Sequence, residues 1–267
     1  SLETPSLSSL NQRRSQLKPE ALETVFHKFM SASRKLDVPS REQRYQYIAA
    51  DGSSISFFSF PKFASDDYFI SEGHSMNGFY SMHLNAFYDI EKHIYTDAVL
   101  QSAHKKDEFL AFCQMVDRHI PSSDIKTVFI GERGYCSYNN MAHVIEKEQY
   151  FVFRSKDITS KGILSNFAFP DSDTFDITVN VTLTRSQRKS IKIKSDFYRR
   201  FVDKAASFDY IEYASTDTYD MSFRIVRFMI SEDTYECIVT NFPQEEFGAE
   251  ELKKIYNSRW PVMPISA

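Results

Sequence analysis

A chain of 267 residues with 42% hydrophobic and 25% charged residues can form one large α/β domain or a core with a second lobe, and its balance excludes a disordered or fibrous chain. The formal net charge of −4 does not advertise a nucleic-acid binder, since such domains are commonly basic overall. No apolar run reaches the length of a membrane span and no signal peptide opens the chain, while Cys113, Cys136 and Cys237 share no ligand-like spacing, so no membrane, disulfide framework or zinc site is indicated and a cytoplasmic location is expected.

Residues 1–17 are polar and read as loosely ordered. Pro19 opens a helix carrying an apolar stripe of Leu22, Val25, Phe26, Phe29 and Met30. Arg44 to Ala50 reads as a strand, and Asp51-Gly52 followed by Ile55 to Phe60 as the turn and return strand of a hairpin. By itself Asp51 is a plain turn residue, because Asp-Gly readily adopts the angles of a tight turn. Phe79 to Ile90 and His93 to Leu100 give two more strands, and Lys105 to His119 a helix with Phe109, Phe112, Cys113 and Val116 at helical spacing.

Thr127 to Ile130 is a β-branched and aromatic run that stops at Gly131, the pattern of a buried strand. Glu132, with Arg133 and Gly134 behind it, then falls at the carboxyl end of a strand, where open α/β sheets place functional groups. An exposed turn acid beside an arginine is the equal alternative. Ser137 reads as the N-cap of a helix with Met141, Val144 and Ile145 on one face, and Tyr150 to Ser155 as the next strand. The histidines at 83, 104, 119 and 143 have no partner at ligand spacing and read as structural or surface residues.

From Asp157 to about Asn241 the texture changes to short β-like runs at 177–183, 190–194, 223–230 and 235–240. Between them Arg185, Arg188, Lys189, Lys192, Lys194, Arg199 and Arg200 form a basic stripe against the single acid Asp196, able to neutralise phosphates or equally to serve as a solvated face. Ala249 to Trp260 returns to helix, with Leu252, Ile255 and Tyr256 on one face.

The run E-R-G-Y-C-S-Y-N-N-M-A-H from Glu132 with Y-F-V-F-R-S-K-D-I from Tyr150 resembles the D-R-G-Y-x-S-Y-N-x-x-A-H and Y-x-x-x-R-x-K-D segment of bacterial insertion-sequence DDE transposases. Those relatives interrupt a ribonuclease H-like core with a β-rich insertion. Asp51-Gly52-Ser53, H-L-N-A-F-Y-D-I from His83, F-R-I-V-R-F from Phe223, T-N-F-P from Thr240 and Y-N-S-R-W from Tyr256 agree in order. The resemblance implies an α/β, ribonuclease H-like mixed sheet flanked by helices, divided as a helical remnant over 1–42, core over 43–156, β-rich insertion over 157–241 and a closing core helix over 242–267. It makes Asp51 and Glu132 the first two catalytic acids, ligands for Mg²⁺ or Mn²⁺. DNA contacts fall to Arg185, Arg188, Lys189, Lys192, Lys194, Tyr256 and Arg259, with double-stranded DNA (transposon ends and target) as partner; the sequence leaves the oligomeric state open, a homodimer being one option.

Two departures stand against this pattern. The family's second acid is normally Asp, and the extra methylene of Glu132 moves a carboxylate by roughly 1.5 Å, against a tolerance of about 0.5 Å. On the last helix Tyr256 and Arg259 match, but the third acid's place is held by Met263, Pro261 and Pro264 stop the helix, and the following Lys is missing. A thioether does not ligate Mg²⁺. The tail reads like that of a truncated or frame-shifted copy, so the chain is expected to lack cleavage activity. The alternatives are a non-catalytic DNA-binding remnant and a metal nuclease taking its third ligand from elsewhere, such as Glu236 or Glu246.

Overall fold

The computed structural model describes residues 6–14, 16–18, 20–36, 43–58, 66–71, 78–121 and 125–259. Pro19, Ser59, Phe60, Trp260, Pro261, Met263 and Pro264 lie outside them. The chain divides into two compact units, Ser1–Gln43 and Arg44–Ala267. The first holds α1 (Leu7–Arg14) and α2 (Glu20–Leu36). The segment expected to be loose therefore forms a short helix, although α1 buries no side chain. On α2, Met30 is buried while Leu22, Val25 and Phe29 are exposed.

The second unit is a mixed α/β structure built on one ten-stranded sheet. Its strands are β1 (Tyr45–Phe58), β2 (Phe69–Ile70), β3 (Phe79–Asp89), β4 (Ile94–Ser102), β5 (Lys126–Gly131), β6 (Tyr150–Ser155), β7 (Phe175–Thr184), β8 (Phe197–Phe201), β9 (Thr218–Ser231) and β10 (Thr234–Thr240). Helices α3 (Glu108–Arg118), α4 (Tyr138–Glu146) and α5 (Ala249–Asn257) complete it. The spatial order is β2-β3-β1-β5-β6-β10-β9-β7-β8, with β4 on β3. Strands β1, β5 and β6 are parallel neighbours, and β1 with β3 and β3 with β4 are antiparallel. This is the strand and helix order expected of a ribonuclease H-like core.

Local chemistry explains the central unit. β5 is buried from Thr127 onward, as a strand covered on both faces must be. Ser137 caps α4 by accepting from the Asn140 N–H at 3.2 Å, and Asp107 caps α3 by accepting from Leu110 at 2.9 Å. On one side of the sheet, Phe112 and Met115 of α3 and Met141 and Val144 of α4 pack on Ile48, Phe87, Phe129 and Phe151. On the other, Leu252 and Tyr256 of α5 pack with Val128, Ile130, Val152 and Ile238.

The strands of the segment expected as an insertion continue the same sheet, since β10 pairs with β6 and β9 with β10. Two arginines of F-R-I-V-R-F fasten that region: Arg224 forks onto Asp176 at 2.5 and 3.0 Å and donates to the carbonyls of Phe242, Pro243 and Phe247, and Arg227 forks onto Asp157 at 2.8 and 3.0 Å. Residues 190–194, expected as a strand, form turn and loop instead.

The hairpin expected at Asp51-Gly52 is absent. β1 runs unbroken from Tyr45 to Phe58 and pairs with β3 residue by residue from Ile48–Asp89 to Phe58–Phe79. Gly52 serves close approach rather than a turn: a methyl group there would come within 2.6 Å of His83 Nε2 and 3.2 Å of Glu108 Oε1.

Candidate active site

β1 and β5 keep a constant register, from Tyr45 beside Lys126 to Ala49 beside Ile130; Asp51 follows two residues further along β1, and Glu132 comes directly after the end of β5. Neighbouring strands lie about 4.8 Å apart. β5 ends at Gly131 while β1 continues against β3, so both acids stand at the rim where the parallel pair opens. Glu132 begins a 3-10 turn, Arg133–Tyr135, and accepts from the Arg133 N–H at 3.3 Å. Tyr135 folds back over Gly131, where a methyl group would lie 2.9 Å from its Cβ.

Arg259 Nη2 donates to Glu132 Oε1 at 2.5 Å and contacts the Tyr256 hydroxyl at 3.1 Å, and Arg154 Nη1 lies 3.8 Å from the other oxygen of Glu132. Burial alone would raise the Glu132 pKa, but the hydrogen bond and charge of Arg259 outweigh it and hold this carboxyl below its ordinary range. Asp51 goes the other way. Burial raises its pKa, the charges of Glu108 and Glu132 add to the rise, and the Gly52 N–H and Arg259 oppose it.

The fold thus brings together Asp51, Glu132, Tyr256 and Arg259 from opposite ends of the unit. Tyr256 and Arg259 are 2% and 5% exposed and turned toward Glu132. The basic stripe lies elsewhere, around the connection from β7 to β8. Arg185 donates to the carbonyls of Asp203, Ala206, Phe208 and Ile211 and stacks on Tyr213. Lys194 pairs with Asp220 at 2.7 Å. Arg188, Lys189 and Lys192 are exposed.

Sequence reasoning passed over three rim residues. His83 of β3 is buried, with Nδ1 3.3 Å from Ser54 Oγ and Nε2 3.0 Å from Glu108 Oε1. Burial and the charge of Lys106 lower its pKa against the pull of Glu108. Glu108 opens α3, and Tyr135 is 2% exposed. No spacing in the chain marks any of them.

A second polar cluster sits between α3, α4 and the segment before β9. Cys113, His143 and Asp209 offer atoms within 4.8 Å of one another. His143 Nδ1 meets Asp117 at 2.7 Å and Nε2 meets Asp209 at 2.8 Å, Asn139 donates to Asp209 at 2.9 Å, and the Cys113 thiol donates to Asn140 at 3.3 Å. Burial, with Asp209 and Asp117 adding to it, pushes that thiol up to about 12. Glu236 contacts Arg154 Nε, and Glu246 accepts from the Tyr45 hydroxyl with Arg44 3.9 Å away.

Two acids thus follow the last β1–β5 pair, and Arg259, two residues past the end of α5, binds one of them. The model of the transposase DDE domain matches residues 42–262. The chain belongs to the DDE transposase family. No curated protein matches the chain. DDE transposases act on DNA in transposition and use divalent metal, and the rim residues suit such an ion by their chemistry: hard carboxylate oxygens and the buried Tyr135 hydroxyl, which has no hydrogen-bond partner among the described residues. No helix among the described residues is long and apolar enough to cross a membrane.

Proposed function

We propose that this DDE transposase domain holds Mg²⁺ or Mn²⁺ through Asp51 and Glu132 at the end of β1 and β5, as the site for cutting and joining DNA strands in transposition. What supports this reading is that Asp51 and Glu132 both come just beyond the last printed pair of the parallel strands β1 and β5, Ala49 with Ile130. Bound there, a pair of divalent ions supplies an activated water or 3′-hydroxyl and neutralises charge on the leaving oxygen. The protein's part is positioning. Arg259, braced by Tyr256, orients Glu132 and balances its charge. Met263, where the family pattern places its third acid, offers a thioether that Mg²⁺ does not accept, so strand cleavage is lost or strongly reduced in this sequence.

Duplex DNA, as transposon end and as target, is the partner. Its phosphates meet the exposed Arg188, Lys189 and Lys192, while Arg185 and Lys194 shape the loop that presents them. Reversing those three charges should flatten the dependence of log K on log salt, each lost phosphate contact removing a slope of about 0.9. An unchanged slope would assign the loop to solvent. The chemistry is tested by incubating a labelled element end with Mg²⁺ or Mn²⁺. Background-level cleavage is the expected result, whereas metal-dependent cleavage abolished by Asp51→Ala would refute the loss of activity.

A further inference from the structure

We infer that Glu236 is a positioning residue for the metal site, holding Arg154 back from Glu132 so that one carboxylate oxygen of Glu132 stays open to a divalent cation. The inference rests on reading Glu132 as a metal ligand. The two oxygens of that carboxylate are not equivalent. Oε1 is taken by Arg259 Nη2 at 2.5 Å. Oε2 accepts from the Arg133 N–H at 3.3 Å and has the Arg154 guanidinium beside it, with Nη1 at 3.8 Å. That separation is too long for a hydrogen bond. Oε2 is therefore the oxygen with capacity for a hard cation, and Arg154 is a positive group that stands next to it without closing on it.

What restrains Arg154 is a second acid. Arg154 of β6 lies opposite Ile238 of β10, and Glu236 stands two residues from Ile238 on the same face of that strand. Diagonal neighbours across an antiparallel pair are within reach of long side chains, and Glu236 Oε1 forms an ion pair with Arg154 Nε. By the same alternation both side chains continue the face on which Val152 and Ile238 pack with α5. Glu236 is 8% exposed, and a buried acid beside an arginine is ordinarily a structural pair. Here the arginine is shared, because its guanidinium meets Glu236 through Nε and approaches Glu132 through Nη1. A guanidinium favours a two-pronged contact with a carboxylate, and at Glu132 Arg154 makes none. Freed from Glu236, the flexible arginine would cross the remaining gap and bind Oε2. With Arg259 already on Oε1, both oxygens of Glu132 would then be committed before a cation arrived. Glu236 thus acts on Mg²⁺ or Mn²⁺ through Arg154 and not as a ligand.

The test is Mn²⁺ titration of the full chain, free Mn²⁺ being read by electron paramagnetic resonance. Glu132→Gln should abolish binding. Glu236→Gln should weaken it about tenfold with an unchanged circular dichroism spectrum, and adding Arg154→Gln should return the affinity to the wild-type level or above, since the competing cation is gone. Glu250→Gln, exposed on α5, should leave binding unchanged. Wild-type affinity in Glu236→Gln, with binding lost in Glu132→Gln, would overturn the role of Glu236 and leave Glu132 standing as a ligand. Binding as weak in the double variant as in Glu236→Gln would make Glu236 a ligand or a purely structural residue, and would overturn the inference equally. Absence of Mn²⁺ binding by the wild type, or binding that ignores Glu132→Gln, would overturn the metal reading and this inference together. Were Glu236→Gln to misfold, the double variant decides, because it leaves neither charge of the pair unmatched; affinity about tenfold below wild type there counts against Glu236.

Discussion

Helix α3 carries two polar clusters that differ in one respect. At its start Glu108 pairs with His83 and Lys106 close to the rim, where the carboxyl pKa values of Asp51 and Glu132 are pushed in opposite directions and the buried Tyr135 hydroxyl has no partner among the described residues. Further along, Cys113 and Asp117 face His143, Asn139, Asn140 and Asp209, and each of these side chains has a hydrogen-bond partner. A saturated network rigidifies the structure around it, whereas an unsaturated one stores unfavourable electrostatics that a ligand can relieve. The second cluster has metal-ligand chemistry and yet reads as structure, because its geometry is already complete without an ion.

The sharpest way to break this contrast is to delete a polar group from each cluster. His143→Ala removes the hydrogen bonds to Asp117 and Asp209 and opens a cavity between α4 and Asp209, with an expected loss of about 3 kcal/mol. Scanning calorimetry should show a fall in Tm of about 10 °C. A fall of less than about 2 °C would mean that the saturated cluster is not structural.

Gly52→Ala comes next. The added methyl meets the buried His83 ring, and an expected loss of about 1–3 kcal/mol should appear in chemical denaturation. Wild-type stability would show that the ring moves away freely.

The Asp51-Gly52 pair shows where local sequence misleads. Its dipeptide signal is that of a turn, but the cause of the glycine is His83, a partner on another strand, and no local pattern carries it. Glu108 was hidden for the same reason, since its first-turn position has a sufficient local explanation. Arg185 looked like part of a phosphate-binding stripe because its partners, carbonyls at 203–211, are brought near only by folding. By contrast, β5, the Ser137 cap, α4 and β6 were legible because each is specified within a few residues, by an apolar run, a capping hydroxyl or a helical stripe. The pairing of Asp51 with Glu132 came from family resemblance, and the physical means of that pairing is the β1–β5 register.

Smaller effects of opposite sign are expected at the rim. Tyr135→Phe removes the orphaned hydroxyl and should raise stability by up to about 1 kcal/mol, measured by the same denaturation; a loss above about 1 kcal/mol would reveal a partner for that hydroxyl.

The smallest effect is pH-dependent. Asp51 has a folded-state pKa above its unfolded value, so its ionisation opposes folding. The penalty is absent below the unfolded value, grows as pH rises toward the folded one, and is full above it. Asp51→Asn should therefore raise Tm at neutral pH, with the gain fading toward about pH 3. A gain that persists undiminished in acid would show that Asp51 is not the source.

The common register of β1 and β5 acts as a parity rule. Side chains on a strand alternate between faces, so a slip of one residue would turn Asp51 away from Glu132 and at the same time expel Ile48 and Ala50 from the core they share with Phe129. The alignment of the two acids and the packing of the central strands are therefore one discrete choice. Insertions in the connections between these strands can lengthen the chain without disturbing it, while the loss of a single residue within Gln46–Ala50 would forfeit the site and the core together.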